Sequence, residues 1–434
     1  MDRQSLSTFY AITLGCKVNT YETNIIANDL IAEGLIQIDD FSKCDVAIVN
    51  TCSVTNTADS KSRNTISKIR RANPNAIIIV CGCYSQVASE TLKSKYGINI
   101  LIGNKYKNNI IKLIDEFLIN EKQIVRVENL LLEKEFEETS VDVYTNQTRA
   151  FVKIQDGCNF MCSYCIIPFT RGRQRSKKMS IIIDEIKTLV ANNYKEIVLT
   201  GVNTAGYNDS ENNFYALLKE INKLEGNFRV RISSVEPFQI SDEIIELICK
   251  NKNRFAQHWH ICLQSGSDNV LEKMNRKYNS EQFKNLISKI YKLNPNTAIT
   301  TDVIAAFPTE TDLDHKNTIE FIKEIGFSKL HIFSYSRRSY TPAAKLQQIN
   351  QTIVDQRMKD LLQLNIELGN IFNKRFINKI VDVLFETYDG EINSGYSSEY
   401  IRVDVNSKIN YSNQIKKVKI TKVIMNHIIG EIAE

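Results

Sequence analysis

Short apolar runs separated by stretches of helical periodicity fill the first 117 residues: runs at 9–14, 46–49 and 76–80 alternate with helical patterns over 24–32 and from residue 58 onward. Runs of this length are too short to be helices and read as buried strands, so the alternation predicts a βαβ domain with a parallel sheet. Gly15-Cys16, Asn50-Thr51-Cys52 and Gly82-Cys83 each follow one of these runs. Three cysteines are therefore expected at strand carboxyl ends, the edge at which open parallel sheets bind ligands.

Residues 121–148 are charged, with an acidic run at 133–138, and lack a strong period, which predicts a linker carrying one or two strands at most. Alternation resumes from residue 150, with strands expected at 151–154, 196–199, 229–232, 258–263, 298–304 and 330–333 and helical stretches between them. Six strands in that rhythm predict a complete or partial (β/α) barrel. Past about residue 373 the pattern becomes short alternating strands at 381–385, 400–405 and 416–423, as in a small antiparallel β-barrel. The expected organisation is thus α/β: an N-terminal βαβ parallel-sheet domain over 1–120, a linker over 121–148, a central barrel over 149–372 and a small antiparallel β-barrel over 373–434.

Composition narrows the class without naming a function. Of 434 residues, 43% are hydrophobic and 24% charged, close to average globular usage, which excludes a disordered, collagen-like or coiled-coil chain. Residues 1–10 lack the basic start and apolar stretch of a secretory signal, and no apolar run approaches the length that spans a bilayer. A cytoplasmic protein without a membrane segment is expected. Ten cysteines in a reducing compartment point to metal binding or catalysis rather than disulfides.

The densest candidate chemistry is Cys158-Asn159-Phe160-Met161-Cys162-Ser163-Tyr164-Cys165, directly after the first barrel strand. Three thiolates so close can hold three irons of a [4Fe–4S] cluster. With no fourth ligand nearby, one iron is left to bind a small molecule such as the amino and carboxylate groups of S-adenosylmethionine. A structural zinc site is the alternative, but it wants four ligands, and the first of the five histidines is His258. The spacing, Tyr164 and the strand-end position resemble the radical S-adenosylmethionine superfamily. Cofactor contacts are then expected at barrel strand ends: Gly201 and Asn203 after the second strand, Ser234 and Glu236 after the third, Gln264 after the fourth, and Arg276 for the methionyl carboxylate. Ordinary βα turns use the same residue types, and a lone arginine is commonly a solvated surface residue.

Cys16, Cys52 and Cys83 form a second set that could hold another cluster with an open iron, while Cys44, Cys81, Cys249 and Cys262 read as small buried hydrophobes. Gly15-Cys16-Lys17-Val18-Asn19-Thr20-Tyr21-Glu22-Thr23, Asn50-Thr51-Cys52-Ser53-Val54-Thr55 and Gly82-Cys83-Tyr84-Ser85-Gln86 resemble the N-terminal domain of the methylthiotransferases. The resemblance continues through Gln155-Asp156-Gly157-Cys158 and Ile166-Ile167-Pro168 to His260-Ile261-Cys262-Leu263-Gln264-Ser265-Gly266-Ser267, and so covers nearly the whole chain. It implies two [4Fe–4S] clusters, an auxiliary one on Cys16, Cys52 and Cys83 and a radical one on Cys158, Cys162 and Cys165. It further implies S-adenosylmethionine as source of methyl group and radical, an RNA-binding C-terminal barrel of the TRAM type, an electron donor of flavodoxin or ferredoxin type, and a sulfur donor. No side-chain acid or base is assigned, since radical abstraction needs none.

Thr55-Asn56-Thr57-Ala58-Asp59-Ser60-Lys61-Ser62-Arg63 and the start Gly15-Cys16-Lys17-Val18-Asn19 are most similar to the subgroup that acts on N6-threonylcarbamoyladenosine at position 37 of tRNA, beside the anticodon. Other subgroups modify isopentenyladenosine in tRNA or a ribosomal-protein aspartate, and a non-enzymatic zinc-dependent RNA-binding protein is the reading outside enzymes. Two departures stand out: Ala306-Phe307-Pro308-Thr309-Glu310 where the family usually has Gly-Phe-Pro-Gly-Glu, and Ser339-Tyr340-Thr341-Pro342 in place of a Gly-Thr-Pro pairing. Both put the shape of the substrate pocket in question. The net charge of +5 is mild, but basic residues cluster at Arg171, Arg173, Arg175, Lys177 and Lys178, at Lys61, Arg63, Lys68, Arg70 and Arg71, and at Lys416, Lys417, Lys419 and Lys422. Such runs are usually solvated faces; beside the proposed clusters and in a nucleic-acid-type barrel they become candidates for tRNA phosphates. Tyr335, Arg337, Arg338 and Tyr340 are candidates for stacking on anticodon-loop bases, or equally for ordinary loop packing.

Overall fold

The computed structural model describes residues 6–144, 147–424 and 427–433, so the polar start of the chain and two residues of the expected linker lie outside it. By compactness the chain divides into two units, one comprising the described residues of 1–145, 155–177 and 336–344, the other those of 146–154, 178–335 and 345–434.

The first unit is built on strands β1 (Thr8–Thr13), β2 (Ile36–Gln37), β3 (Val46–Thr51), β4 (Ile77–Gly82), β5 (Ile100–Ile102) and β6 (Ile124–Arg126). They form one sheet in the order β2-β1-β3-β4-β5-β6, every pair parallel. Helices α1 (Lys17–Ala32), α2 (Asn56–Ala72), α3 (Cys83–Lys93) and α4 (Ile110–Asn120) supply the crossovers. The strands are apolar on both faces because both are covered. Val46, Ile48, Ile77 and Ile79 face a core with Ile26 and Leu30 of α1 and Leu113 of α4, while Ala47, Val49, Ile78 and Val80 face one with Ile66 and Ile69 of α2. The stretch read as a linker supplies the edge strand β6.

In the second unit, β7 (Arg149–Lys153) opens a set of parallel strands; the short pair β8 (Gln155–Asp156) and β9 (Arg175–Ser176) belongs to the first unit, which also holds α5 (Ile167–Arg171). After α6 (Met179–Ala191) come β10 (Glu196–Thr200), α7 (Phe214–Lys223), β11 (Arg229–Ile232), α8 (Asp242–Lys250), β12 (His258–His260), α9 (Asp268–Lys273), α10 (Ser280–Leu293), β13 (Ala298–Ala305), α11 (Asp312–Ile325) and β14 (Lys329–Ser334). Strands β7, β10 and β11 pair in parallel, as do β12, β13 and β14, and isolated parallel bridges from Val230 to Phe255 and Val235 to Ile261 join the triplets. The result is a six-stranded partial (β/α) barrel, as the rhythm of apolar runs predicts.

Helix α12 (Gln351–Lys374) leads to a closed barrel of β15 (Ile380–Tyr388), β16 (Ile392–Ser397), β17 (Arg402–Asn406), β18 (Ile415–Ile424) and β19 (His427–Ile432), ordered β15-β16-β17-β19-β18 and filled by Val383, Phe385, Val403, Val418, Ile420 and Ile428. The expectation of an antiparallel barrel holds for every neighbouring pair but one, since β17 and β19 are parallel. An odd number of strands cannot close a ring with every neighbour reversed. Among the described residues no helix is long and apolar enough to cross a membrane.

A buried ion cluster fastens this small barrel to the strands of the larger one. Glu196, fully buried, accepts from Arg229 Nε at 2.5 Å and from Arg231 Nε at 2.7 Å. The same guanidiniums donate to the Tyr396 and Ser397 carbonyls at 2.8 and 3.0 Å, and Arg231 lies 4.5 Å from the Tyr400 ring centre. Burial opposes ionisation of Glu196, but Arg229 and Arg231 outweigh it and hold the carboxyl well below the ordinary range. A depressed carboxylate stabilises the fold above its unfolded value of about 4.3, and the contribution is lost as pH falls through its folded value. Glu196→Gln leaves two buried guanidiniums without their counter-charge and is expected to cost about 3–5 kcal/mol. Urea unfolding followed by the single tryptophan, buried Trp259 of this unit, measures the loss. The variant is also expected to lose less stability than the parent between neutral pH and pH 3.

Candidate metal and cofactor sites

Cys16, Cys52 and Cys83 follow β1, β3 and β4, three neighbours whose register sets Thr13 against Asn50 and Asn50 against Cys81. The order β2-β1-β3 reverses the winding between β1 and β3, so Cys16 and Cys52 flank the crevice at which such sheets bind ligands. Gly15, at φ +108°, touches the second cysteine so closely that a Cβ would lie 2.6 Å from Cys52 Cβ. Gly82, at φ +101°, would place one 2.4 Å from the Thr51 carbonyl oxygen. Both positions require glycine for the cysteine ends to come together. Burial first, then the neighbouring Cys83 and Cys16, push the Cys52 thiol up to about 12 against the opposing pull of Arg171. The three sulfurs and the guanidinium therefore share one electrostatic neighbourhood.

Asn19 ties these ends together. Its Nδ2 donates to the Leu14 carbonyl at 2.8 Å and the Thr51 carbonyl at 3.0 Å, and its Oδ1 accepts from Arg171 Nη2 at 2.5 Å. Cys158, Cys162 and Cys165 lie in an irregular loop of the same unit, each half-buried. The Cys158 amide donates to the Gly172 carbonyl at 3.1 Å, the Cys165 amide to the Cys162 carbonyl at 3.0 Å, and the Ala343 amide to the Ser163 carbonyl at 2.8 Å. Between Asp156 and Asp184 these cysteines are the only Cys, His, Asp or Glu. A donor set of three accessible thiols without a local fourth ligand fits a cluster with one open iron better than a closed zinc site. Cys44, Cys81 and Cys249 are buried, as expected of small hydrophobes.

In the second unit, Gly201, Asn203, Ser234, Glu236 and Gln264 stand along the carboxyl ends of β10, β11 and β12. The structure brings two of the expected cofactor contacts together: Arg276 forms an ion pair with Glu236, and its Nε donates to Tyr278 Oη at 3.1 Å. At 3% side-chain exposure, Arg276 is no solvated surface residue. Gln264 takes φ +67°, where its amide donates to the Asp302 carbonyl at 2.9 Å. Sequence reading missed a polar group on the neighbouring strands. His260 Nε2 lies 3.3 Å from Asp302 Oδ2 and its Nδ1 3.0 Å from Thr300 Oγ1, while Cys262 Sγ donates to Asp302 at 3.9 Å. Cys262 thus belongs to a polar group and is not simply a hydrophobe; the three donor atoms lie within 4.8 Å of one another, a spacing one cation could bridge. Alternation along β13 and on β12 was the available signal, but their partnership depends on a pairing across about forty residues.

Residues 8–103 match the model of uncharacterized protein family UPF0004, and residues 152–322 that of the radical SAM superfamily. The chain is 38% identical to a threonylcarbamoyladenosine tRNA methylthiotransferase of Bacillus subtilis (strain 168), over 94% of this chain and 93% of that protein. The chain belongs to the radical S-adenosylmethionine tRNA methylthiotransferases. A tRNA-2-methylthio-N(6)-dimethylallyladenosine synthase of Clostridium botulinum (strain Langeland / NCTC 10281 / Type F) is 36% identical over 89% of this chain and 87% of that one. Among solved structures, the radical S-adenosylmethionine methyltransferase TsrM of Kitasatospora setae, with cobalamin and a [4Fe–4S] cluster bound, matches with a TM-score of 0.58 at 14% identity, covering 78% of this chain and 74% of that one, a likeness of fold.

The methylthiotransferase differs from its sequence reading in the basic clusters. Arg171 and Lys177 are buried: Arg171 pairs with Glu22 and Asp156, and Lys177 donates to Tyr21 Oη at 2.9 Å. Arg70 donates to the Gly97 and Pro74 carbonyls, and Arg338 pairs with Asp59 at 2.5 Å. These side chains are committed within the fold, whereas Arg173, Lys178, Lys61, Arg71, Lys417, Lys419 and Lys422 are exposed. Arg337 and Tyr340 are exposed as well, and Tyr335 stacks edge-on against Phe307 at 5.8 Å.

The departure at 306–310 has a backbone meaning. Ala306 and Thr309 take φ +57° and +72°, the left-handed region that glycine occupies freely. No residue from 339 to 342 does so, and that departure needs no glycine. A β-branched residue at positive φ is strained by about 1–2 kcal/mol. Thr309→Gly is expected to raise stability by about 1 kcal/mol, and Ala306→Gly to do the same or slightly less, both read from the urea midpoint of Trp259 fluorescence. A lower midpoint for Thr309→Gly would show that its side chain, not backbone strain, dominates.

Proposed function

We propose that this methylthiotransferase converts N6-threonylcarbamoyladenosine at position 37 of tRNA to its 2-methylthio derivative. The observation carrying this reading is the likeness of residues 55–63 and of Gly15-Cys16-Lys17-Val18-Asn19 to the enzymes of that substrate. Relatives bearing that name, at 38% identity in Bacillus subtilis and 36% in Thermotoga maritima, support it. The dimethylallyladenosine relatives stand at a similar 36%, which keeps that base as the second reading.

In this proposal Cys16, Cys52 and Cys83 hold the auxiliary cluster and Cys158, Cys162 and Cys165 the radical cluster. When bound, the clusters and S-adenosylmethionine supply the electron, the 5′-deoxyadenosyl radical, the methyl group and the sulfur. What the protein's own residues do is bind and position. The paired Glu236 and Arg276 offer a carboxylate and a guanidinium to the ribose hydroxyls and methionyl group of S-adenosylmethionine, with Gly201, Asn203, Ser234 and Gln264 along the same strand ends. Lys417 and Lys419 alternate with buried Val418 and Ile420, so one face of β18 presents cations to tRNA phosphates while the other fills the barrel. The anticodon stem-loop, an electron donor of flavodoxin or ferredoxin type and a sulfur donor complete the set of partners, in a cytoplasmic setting.

Nucleoside mass spectrometry of tRNA from methylthiolation-deficient cells, complemented with this protein or with Cys158→Ala, tests the reading. Methylthio-threonylcarbamoyladenosine is expected with the intact protein only. Methylthio-isopentenyladenosine in its place would overturn the substrate assignment, and formation of the product by Cys158→Ala would overturn the role of the radical cysteines.

A further inference from the structure

A continuous chain of polar contacts runs through the first unit from one N-terminal cysteine to another. Asn104 Nδ2 donates to Cys83 Sγ at 3.5 Å, and Asn104 Oδ1 accepts from Lys107 Nζ at 2.8 Å. Lys107 pairs with Glu22, whose carboxylate accepts from Arg171 Nη1 at 2.8 Å and Nη2 at 3.1 Å. Arg171 Nη2 donates to Asn19 Oδ1, which also accepts from the Cys16 thiol at 3.9 Å, and Asn19 Nδ2 holds the carbonyl of Thr51, the residue before Cys52. Arg171 stands at the centre, 1% exposed, and the Nη1 that meets Glu22 also lies 3.1 Å from Asp156 Oδ2. It is also six residues beyond Cys165, and the next residue, Gly172, accepts from the Cys158 amide.

Burying four charges in two opposed pairs is costly, and hydrophobic replacements usually stabilise a fold as well or better. Such a cluster is understood if a fixed positive charge is wanted at this place. Lys107 and Arg171 face Glu22 and Asp156 across it. Hydrogen bonds to ligand sulfurs and nearby buried charge are what set the potential of an iron–sulfur cluster.

We propose that Arg171 is a positioning residue for the auxiliary cluster: through Asn19 and Glu22 it fixes the cysteine ends of β1 and β3 and supplies the positive charge that sets that cluster's reduction potential. The inference rests on the assignment of Cys16, Cys52 and Cys83 as its ligands. Loss of the guanidinium removes one positive charge facing Glu22 and Asp156 beside those cysteines, and so disfavours taking up an electron.

The test is an electron paramagnetic resonance redox titration of full-length protein carrying Cys158→Ala, Cys162→Ala and Cys165→Ala, in which the auxiliary cluster alone gives a signal. Arg171→Gln is expected to shift the midpoint to a more negative potential, Arg171→Lys to shift it less, and Arg171→Gln with Glu22→Gln to bring it back toward the parent. A structural role alone would lower stability without that reversal. A midpoint unmoved in Arg171→Gln, or unmoved in Arg171→Met should the glutamine variant fail to fold, overturns the proposal while leaving the ligand assignment standing. Absence of a cluster from the triple-alanine background, or its survival of an added Cys16→Ala, overturns the assignment and the proposal with it.

Discussion

The register of parallel strands is the constraint on which the chemistry of the first unit depends. Cys16, Cys52 and Cys83 are far apart in sequence and share a neighbourhood because β1, β3 and β4 are locked with Thr13 against Asn50 and Asn50 against Cys81. A slip of one residue would turn every side chain of a strand to the opposite face, and both faces here carry a core. Burial on two sides thus fixes the register, and the register fixes where the strands end. Gly15, Gly82 and Asn19 then bring those ends together, the glycines by leaving no Cβ in the way and the asparagine by bridging two carbonyls.

Two of the buried ion clusters fasten segments distant in sequence. Glu22, Asp156, Lys107 and Arg171 join α1, β8 and α5 to the turn before α4, while Glu196, Arg229 and Arg231 join two barrel strands to the carbonyls of Tyr396 and Ser397. Apolar packing would serve for adhesion in either place, without the desolvation cost of ions. Ions add direction: the planar fork of Arg231 can satisfy a carboxylate and a carbonyl only in one relative placement. In the first unit the same directionality acts beside six cysteines, and there the sign of the charge matters as well as its geometry.

Much of this was legible in the sequence because it is local. Apolar runs of four to six residues marked the strands, and cysteines after them marked the sites. What escaped was whatever depends on a partner far along the chain. Arg171 and Lys177 look like their basic neighbours Arg173 and Lys178 until Glu22 and Tyr21, some 150 residues earlier, are placed against them. His260 and Asp302 become a pair only through the alignment of β12 with β13. The parallel pairing of β17 with β19 follows from ring closure by five strands, which no single strand's pattern encodes.

The strained turn after β13 shows how tertiary contacts override a local rule. Ala306 and Thr309 adopt left-handed conformations although neither favours them, and two such residues within one turn need compensation from elsewhere. Glu310 provides it: its side chain accepts from the Phe307 amide at 3.3 Å and from Arg357 Nη1 at 3.0 Å, while Arg357 also donates to the Glu310 carbonyl at 3.1 Å and to Asp312 at 2.8 Å. Arg357 lies on α12, so one buried guanidinium fastens the end of the turn, at Glu310 and Asp312, to a long helix. The shape that glycine would adopt freely is imposed here from outside.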